Sequence, residues 1–168
     1  MRQMTKTLVV CLLTAAAAAA QGYSQPVREM EKEARSAVRG LCRIQYNAGY
    51  AGLVAQADCT LSDLNQTLGT TIPQGKVLVI EDISALCNKA AADKWAGIWL
   101  TATGYDKYLA LVSQASYPSG TQVLIATTPA KFYGRGGDKV TANINLTGVA
   151  TMDTTCTVKF AGHLVTVQ

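Results

Sequence analysis

"KVTANINLT", residues 139–147, alternates without a break: Val140, Ala142, Ile144 and Leu146 on one side, Thr141, Asn143 and Asn145 on the other. Successive side chains of a strand point to opposite faces, so this is a strand with one buried and one wet face. The same period recurs upstream. "WAGIWLTAT" (95–103) sets Ile98, Leu100 and Ala102 against Trp99, Thr101 and Thr103. "GYDK" (104–107) reads as a turn, "YLALVSQ" (108–114) as the returning strand, and "YPSG" (117–120) as a second turn into "TQVLIATT". Downstream, "TTCTVKFAGHLVTV" (154–167) places Cys156, Val158 and Phe160 on one side, with Gly162 as a bulge or bend. No helical pattern separates these segments, and Thr and Val suit pleated, half-buried surfaces. The fold expected is all-β: an antiparallel β-sandwich, jelly-roll or immunoglobulin-like, of about seven or eight strands at the spacing usual for such folds.

The N-terminus reads differently. Arg2 and Lys6 form a basic region, Leu8 to Leu13 an apolar one, and Ala15 to Ala20 a run of small residues with an A-x-A cleavage site after Ala20. Residues 1–20 are therefore expected to be a signal peptide, and Cys11 one of its apolar residues. Residues 21–41 are expected to carry an N-terminal amphipathic α-helix. In "SQPVREMEKEARSAVRGL" (24–41), Ser24 caps and Pro26 is tolerated in the first turn. Val27, Met30, Ala34, Ala37 or Val38, and Leu41 recur at spacings of three and four, and Gly40 is a stop. This segment docks on its own domain or serves as a homo-oligomer contact. Residues 42–168 then form one disulfide-stapled domain, long enough for an adequate core.

Removing Arg2 and Lys6 leaves 13 basic against 11 acidic residues. The basic residues are scattered rather than clustered, which argues against nucleic acid as a partner. No stretch after the leader reaches the length of a membrane-spanning helix. Four cysteines remain, Cys42, Cys59, Cys87 and Cys156. In an exported chain they read as two disulfides with three connectivities, of which Cys42–Cys59 and Cys87–Cys156 are favoured, pairing the local two and the distant two. A zinc site is disfavoured, since there is no C-x-x-C pair and His163 is the only histidine. No metal or cofactor is expected.

"TIPQGKVLVIEDISALC" (71–87) superficially offers a phosphate loop and an acidic pair. A phosphate loop needs G-x-x-x-x-G-K-[ST] between a strand and a helix. Here a valine follows Lys76, and a strand follows the valine. Pro73-Gln74-Gly75 is a turn. Glu81 and Asp82, as neighbours on a strand, point to opposite faces and form no catalytic pair. Glu81 shares its face with Val77, Val79, Ile83, Ala85 and Cys87, so it is either buried and partnered or returned to solvent by a bulge. The pattern P-x-G-K-x-L-V-I-E-x-[VI]-S followed by a cysteine is carried by Pro73, Gly75, Lys76, Leu78, Val79, Ile80, Glu81, Ile83, Ser84 and Cys87. It resembles a segment of small exported bacterial proteins of unknown function, and "CTVKFAGHLV" resembles their closing strand. The resemblance implies a compact β-sandwich and export, and no activity.

Other chemistry is sparse. His163 has no G-x-S-x-G serine to serve. Asp93, Asp106, Asp138 and Asp153 lie at strand ends, where a glycosidase pair would be drawn from or where turns are simply formed. "YGRGGDKV" (133–140) reads as a hairpin connection, or as an anion loop with Arg135 and Lys139. Trp95, Trp99, Tyr105, Tyr108 and Tyr117 concentrate around two turns. Exposed together, they are the candidate ligand-binding residues, stacking on sugar rings or anchoring a protein partner; buried, Trp99 is core. The function expected is an exported, non-catalytic binding module for a protein or carbohydrate, secreted or periplasmic. The alternatives are a structural subunit of an envelope or surface assembly, built through residues 24–41, and a small hydrolase with loop carboxylates.

Overall fold

The computed structural model describes residues 35–167. They form eleven strands: β1 (Arg35–Tyr46), β2 (Val54–Asp58), β3 (Thr60–Ser62), β4 (Thr67–Gly69), β5 (Lys76–Ala90), β6 (Trp95–Ala102), β7 (Tyr105–Tyr108), β8 (Val112–Ser116), β9 (Thr121–Arg135), β10 (Val140–Leu146) and β11 (Thr154–Thr166). A seven-stranded sheet runs β4-β3-β1-β11-β5-β9-β8, and a four-stranded sheet runs β2-β10-β6-β7. Both are antiparallel in their registered pairs. Their inner faces share one buried cluster. Val38, Ile44, Ile83 and Phe160 come from the larger sheet, and Ile98, Leu100, Val140 and Ile144 from the smaller. Two sheets closing on one apolar core make a β-sandwich.

Eight strands pair like a ribbon folded over on itself: β1 beside β11, β2 beside β10, β5 beside β9 and β6 beside β7. The three beyond the expected seven or eight are β3 and β4, which widen the sheet next to β1, and β8, which pairs β9. These run only three, three and five residues, too short to announce themselves by alternation.

Residues 35–41 are not the end of a helix. They open β1, in which Val38, Gly40, Cys42, Ile44 and Tyr46 are buried while Ala37, Arg39, Leu41, Arg43 and Gln45 are exposed. The period is two, and β1 lies between β3 and β11 in the sheet, with residues 39–41 registered against β3. Gly40, expected as a helix stop, sits mid-strand because the Phe160 ring of β11 occupies the space a Cβ would need. The rest of the expected helix, residues 21–34, and the expected signal peptide, residues 1–20, lie outside the described residues.

Three turns differ from expectation. The β6–β7 turn is Thr103-Gly104, both in the left-handed region at φ 52° and 75°, so Tyr105 to Tyr108 is strand rather than turn. "YLALVSQ" is not one strand: β7 ends at Tyr108 and β8 begins at Val112, in the other sheet. Arg135 to Asp138 close a turn through Asp138 N–H donating to Arg135 O at 3.1 Å. It is a crossover rather than a hairpin, because β9 and β10 belong to different sheets.

Both favoured disulfides are present, Cys42–Cys59 and Cys87–Cys156, and all four cysteines are fully buried. The first ties β1 to the residue between β2 and β3; the second joins directly opposed residues of β5 and β11.

Glu81 leaves the core through a bulge. In β5 the inward residues are Leu78 and Ile80, then Ile83, Ala85 and Cys87, so the phase flips once. The registers shift at the same place, between Ala161 and Gly162 against β11 and between Ile80 and Asp82 against β9. Glu81 is opposed by no residue of either neighbour. This β-bulge turns the carboxylate outward, where its side chain is 54% exposed and its Oε1 lies 3.4 Å from His163 Nδ1.

Candidate functional site: the outer face of the four-stranded sheet

The inward residues of β6 and β10 fill the core, which leaves their alternate residues on the outer face. Directly opposed residues in antiparallel strands share a face, so the registers set the outer surface in rungs. One rung reads Gln56, Asn143, Trp99, Tyr108 across β2, β10, β6 and β7. The next reads Asp58, Thr141, Thr101, Asp106.

The Trp99 and Tyr108 rings stand with centroids 5.5 Å apart and planes tilted by 34°. Tyr108 is 64% exposed and its ring lies over Gly97, where a Cβ would be 3.6 Å from it. Trp99 is half-buried and belongs to this outer face rather than to the core. Polar groups beside the rings are fixed by one another. Asn143, 5% exposed, donates from Nδ2 to Thr101 Oγ1 at 3.1 Å and to Thr141 Oγ1 at 3.4 Å. Thr101 Oγ1 donates in turn to Asp106 Oδ1 at 2.6 Å. Lys139 pairs with Asp58 at 2.5 Å. An aromatic pair thus stands beside one amide, Asn143, two threonine hydroxyls and a carboxylate held by mutual hydrogen bonds, with the exposed Gln56 at the end of the same rung.

A shallow groove of about 560 Å³ continues from the second rung, lined by Thr101, Thr141, Lys139, Thr103, Arg135 and Asp138. Its floor is held by Thr103 Oγ1, which accepts from the Arg135 backbone N–H at 2.7 Å. Arg135 and Lys139, the two residues of the anion-loop alternative to a hairpin connection, both line it.

The five aromatic candidates do not all meet here. Trp99 and Tyr108 do. Tyr105 lies on the same hairpin, at its turn end, opposite the inward Ala102. Trp95 is packed against the core and donates from Nε1 to Tyr46 Oη at 2.8 Å, an internal fastening. Tyr117 is exposed at the β8–β9 turn of the other sheet. The residues that sequence does not single out as ligand-binding are Gln56 and Asn143, which join the rings only through strand register, and Asp106, which in sequence is one of four strand-end carboxylates.

Of the strand-end aspartates, three are held by local bonds. Asp93 accepts from Thr151, Asp106 from Thr101, and Asp153 from the Ala48 N–H at 2.9 Å. Among the described residues all four cysteines are in disulfides, which leaves none of these four as a thiolate ligand. Among the described residues no group of three or more His, Cys, Asp or Glu could hold a metal ion, and no helix is long and apolar enough to cross a membrane. No protein-family model matches this chain, and a search of curated proteins finds no match.

Proposed function

We propose that this is an exported, non-catalytic carbohydrate-binding module of jelly-roll topology, with the outer face of the four-stranded sheet as its binding platform. The observation that carries the reading is the Trp99–Tyr108 pair set in one rung with Gln56 and Asn143. Sugar rings present apolar C–H faces edged by hydroxyls, which is the complement of two aromatic rings bordered by amides and hydroxyls. The network is already formed, so little side-chain ordering is required on binding. The nested pairing of eight strands is that of a jelly roll, an architecture that includes lectins, and this supports the reading by analogy only. Two buried disulfides suit an oxidising compartment, periplasmic or extracellular, the address that a leader at 1–20 implies. The likeness of Pro73–Cys87 to small exported bacterial proteins supports the same address.

The test is affinity electrophoresis in gels containing soluble polysaccharides, followed by titration calorimetry with oligosaccharides of any that retards the protein. Trp99→Ala and Tyr108→Ala are each expected to weaken binding by about tenfold, the loss of one stacking contact. Tyr117→Ala, on the other sheet, is expected to leave it unchanged. Retardation by no polysaccharide, or retardation indifferent to Trp99 and Tyr108, overturns the proposal.

A further inference from the structure

Within the two rungs of the outer face the charged residues are Asp58 and Asp106. Asp58 is neutralised by Lys139. Asp106 is exposed, and among the described residues no cation pairs with it; its Oδ1 is met by the uncharged Thr101 hydroxyl. Lys107, its neighbour in sequence, stands opposite the inward Leu100 and so belongs to the other side of β7. In the adjoining groove Arg135 and Asp138 are of opposite sign. One negative charge is therefore left uncompensated in these rungs. It lies on the same side of β7 as Tyr108 and two residues away, about 7 Å along the strand.

The hydrogen bonds point the same way. Asn143 donates to the Thr101 hydroxyl, which in turn commits its own proton to Asp106. That bond occupies one acceptor position of a carboxylate that has about four, and a carboxylate has no proton to give. A ligand lying on the Trp99 and Tyr108 rings thus meets the negative face of an aromatic pair and, beside it, an anionic acceptor. Both favour a cation that donates, and an ammonium is all donor. The chain is basic overall, at a formal +4, so attraction for a cation arises at this site and not from net charge.

We infer that the platform selects an amino sugar, whose ring lies on Trp99 and Tyr108 while its protonated amine faces Asp106. The inference rests on the carbohydrate reading above and narrows it to a substrate class. Uronic acids and sulfated sugars bring a second negative charge beside Asp106 and are rejected by repulsion. N-acetylation of the amine removes both its charge and its attraction to the rings.

The β-1,4-linked tetramers of glucose, N-acetylglucosamine and glucosamine share one backbone and differ at one carbon, which bears a hydroxyl, an acetamide or an ammonium. Titration calorimetry compares them in mildly acidic buffer, where the amine is protonated. The glucosamine tetramer is expected to bind about tenfold more tightly than the other two. The margin should shrink as salt is added. Asp106→Asn keeps an oxygen for Thr101 but no charge, and is expected to bring the three affinities within about twofold of one another. A glucosamine tetramer bound no more tightly than the neutral two overturns the inference. If the neutral tetramers still depend on Trp99, the carbohydrate reading survives that result. A preference that persists in Asp106→Asn overturns the inference as well. So does binding of none of the three by a protein that another polysaccharide retards, whereas retardation by no polysaccharide removes both readings together. The comparison of tetramers on the unsubstituted protein decides the matter even where the variant does not fold.

Discussion

Gly162 of β11 has no room for a side chain, because a Cβ there would overlap the carbonyl oxygen of Val79 and lie 2.9 Å from its carbon. That close approach lets β5 carry one residue more than β11 between Ile80 and Ile83, and so turn Glu81 to solvent. Gly162→Ala is accordingly expected to cost about 2 kcal/mol or more in urea unfolding, since the bulge must open before a methyl fits. An unchanged midpoint would mean that the bulge does not depend on Gly162. Gly162 as a bend was legible in the sequence, for a glycine interrupting a strand pattern is a strong local signal. The fate of Glu81 was legible only as two alternatives. Choosing between them requires the number of residues on the neighbouring strand, which β5 itself does not contain.

At the scale of elements, β1 shows how two periods compete within one short segment. Ala34, Ala37 or Val38, and Leu41 satisfy a helical stripe, while Val38, Gly40, Cys42, Ile44 and Tyr46 satisfy alternation. The strand reading runs five positions deep but includes a glycine and a cysteine, so it is the less conspicuous. Pairing with β3 and β11 overrides the weak helix preference, as tertiary context commonly does. The two periods disagree over Leu41, which the helical stripe would bury and the strand leaves exposed; Val38, which both can bury, is the reference. In β1 Leu41 is 42% exposed and Val38 only 1%, so Leu41→Lys should lie within about 0.5 kcal/mol of the parent protein. Val38→Asp, which buries an unpaired carboxylate, should cost about 3 kcal/mol or prevent folding. Circular dichroism melts of the two variants discriminate, and equal losses would contradict the strand assignment. The same geometry decides how to examine residues 24–41 as a homo-oligomer contact. Residues 35–41 cannot be deleted without removing half of β1, so only a deletion confined to 24–34 bears on assembly.

Over the whole molecule, the alternating segments made the sandwich legible, and the four cysteines that follow the expected leader made the staples legible. Sheet membership was not, because it depends on which way each turn leaves its strand. Arg135 to Asp138 and Pro118 to Gly120 are both glycine-containing turns between strands, yet the first crosses between sheets and the second closes a hairpin. The aromatic platform inherits that limit: Trp99 and Asn143 lie far apart along the chain and meet only because β6 and β10 pair in this register.

The nested pairing places the first and last strands side by side, so the fold closes only when β11 enters between β1 and β5. Such long-range pairing carries a loop-closure cost before any contact repays it. The two disulfides act on that cost unequally. Cys42–Cys59 spans a separation of 17 residues, and Cys87–Cys156 spans 69, joining β5 to the last strand of the chain. Restricting the unfolded chain by these loops contributes about 3 kcal/mol and about 4 kcal/mol respectively on the chain-entropy account. The longer link also holds the centre of the seven-stranded sheet. Replacing Cys87 and Cys156 together by alanine should therefore lower stability more than replacing Cys42 and Cys59 together, with urea denaturation at equilibrium as the measurement. Because the effect acts on the unfolded state, it should appear mainly as slower refolding and only weakly as faster unfolding. A double variant at 87 and 156 that refolds at the parent rate would mean that β11 docks without help from the disulfide, and that the closing pair is set by strand register alone.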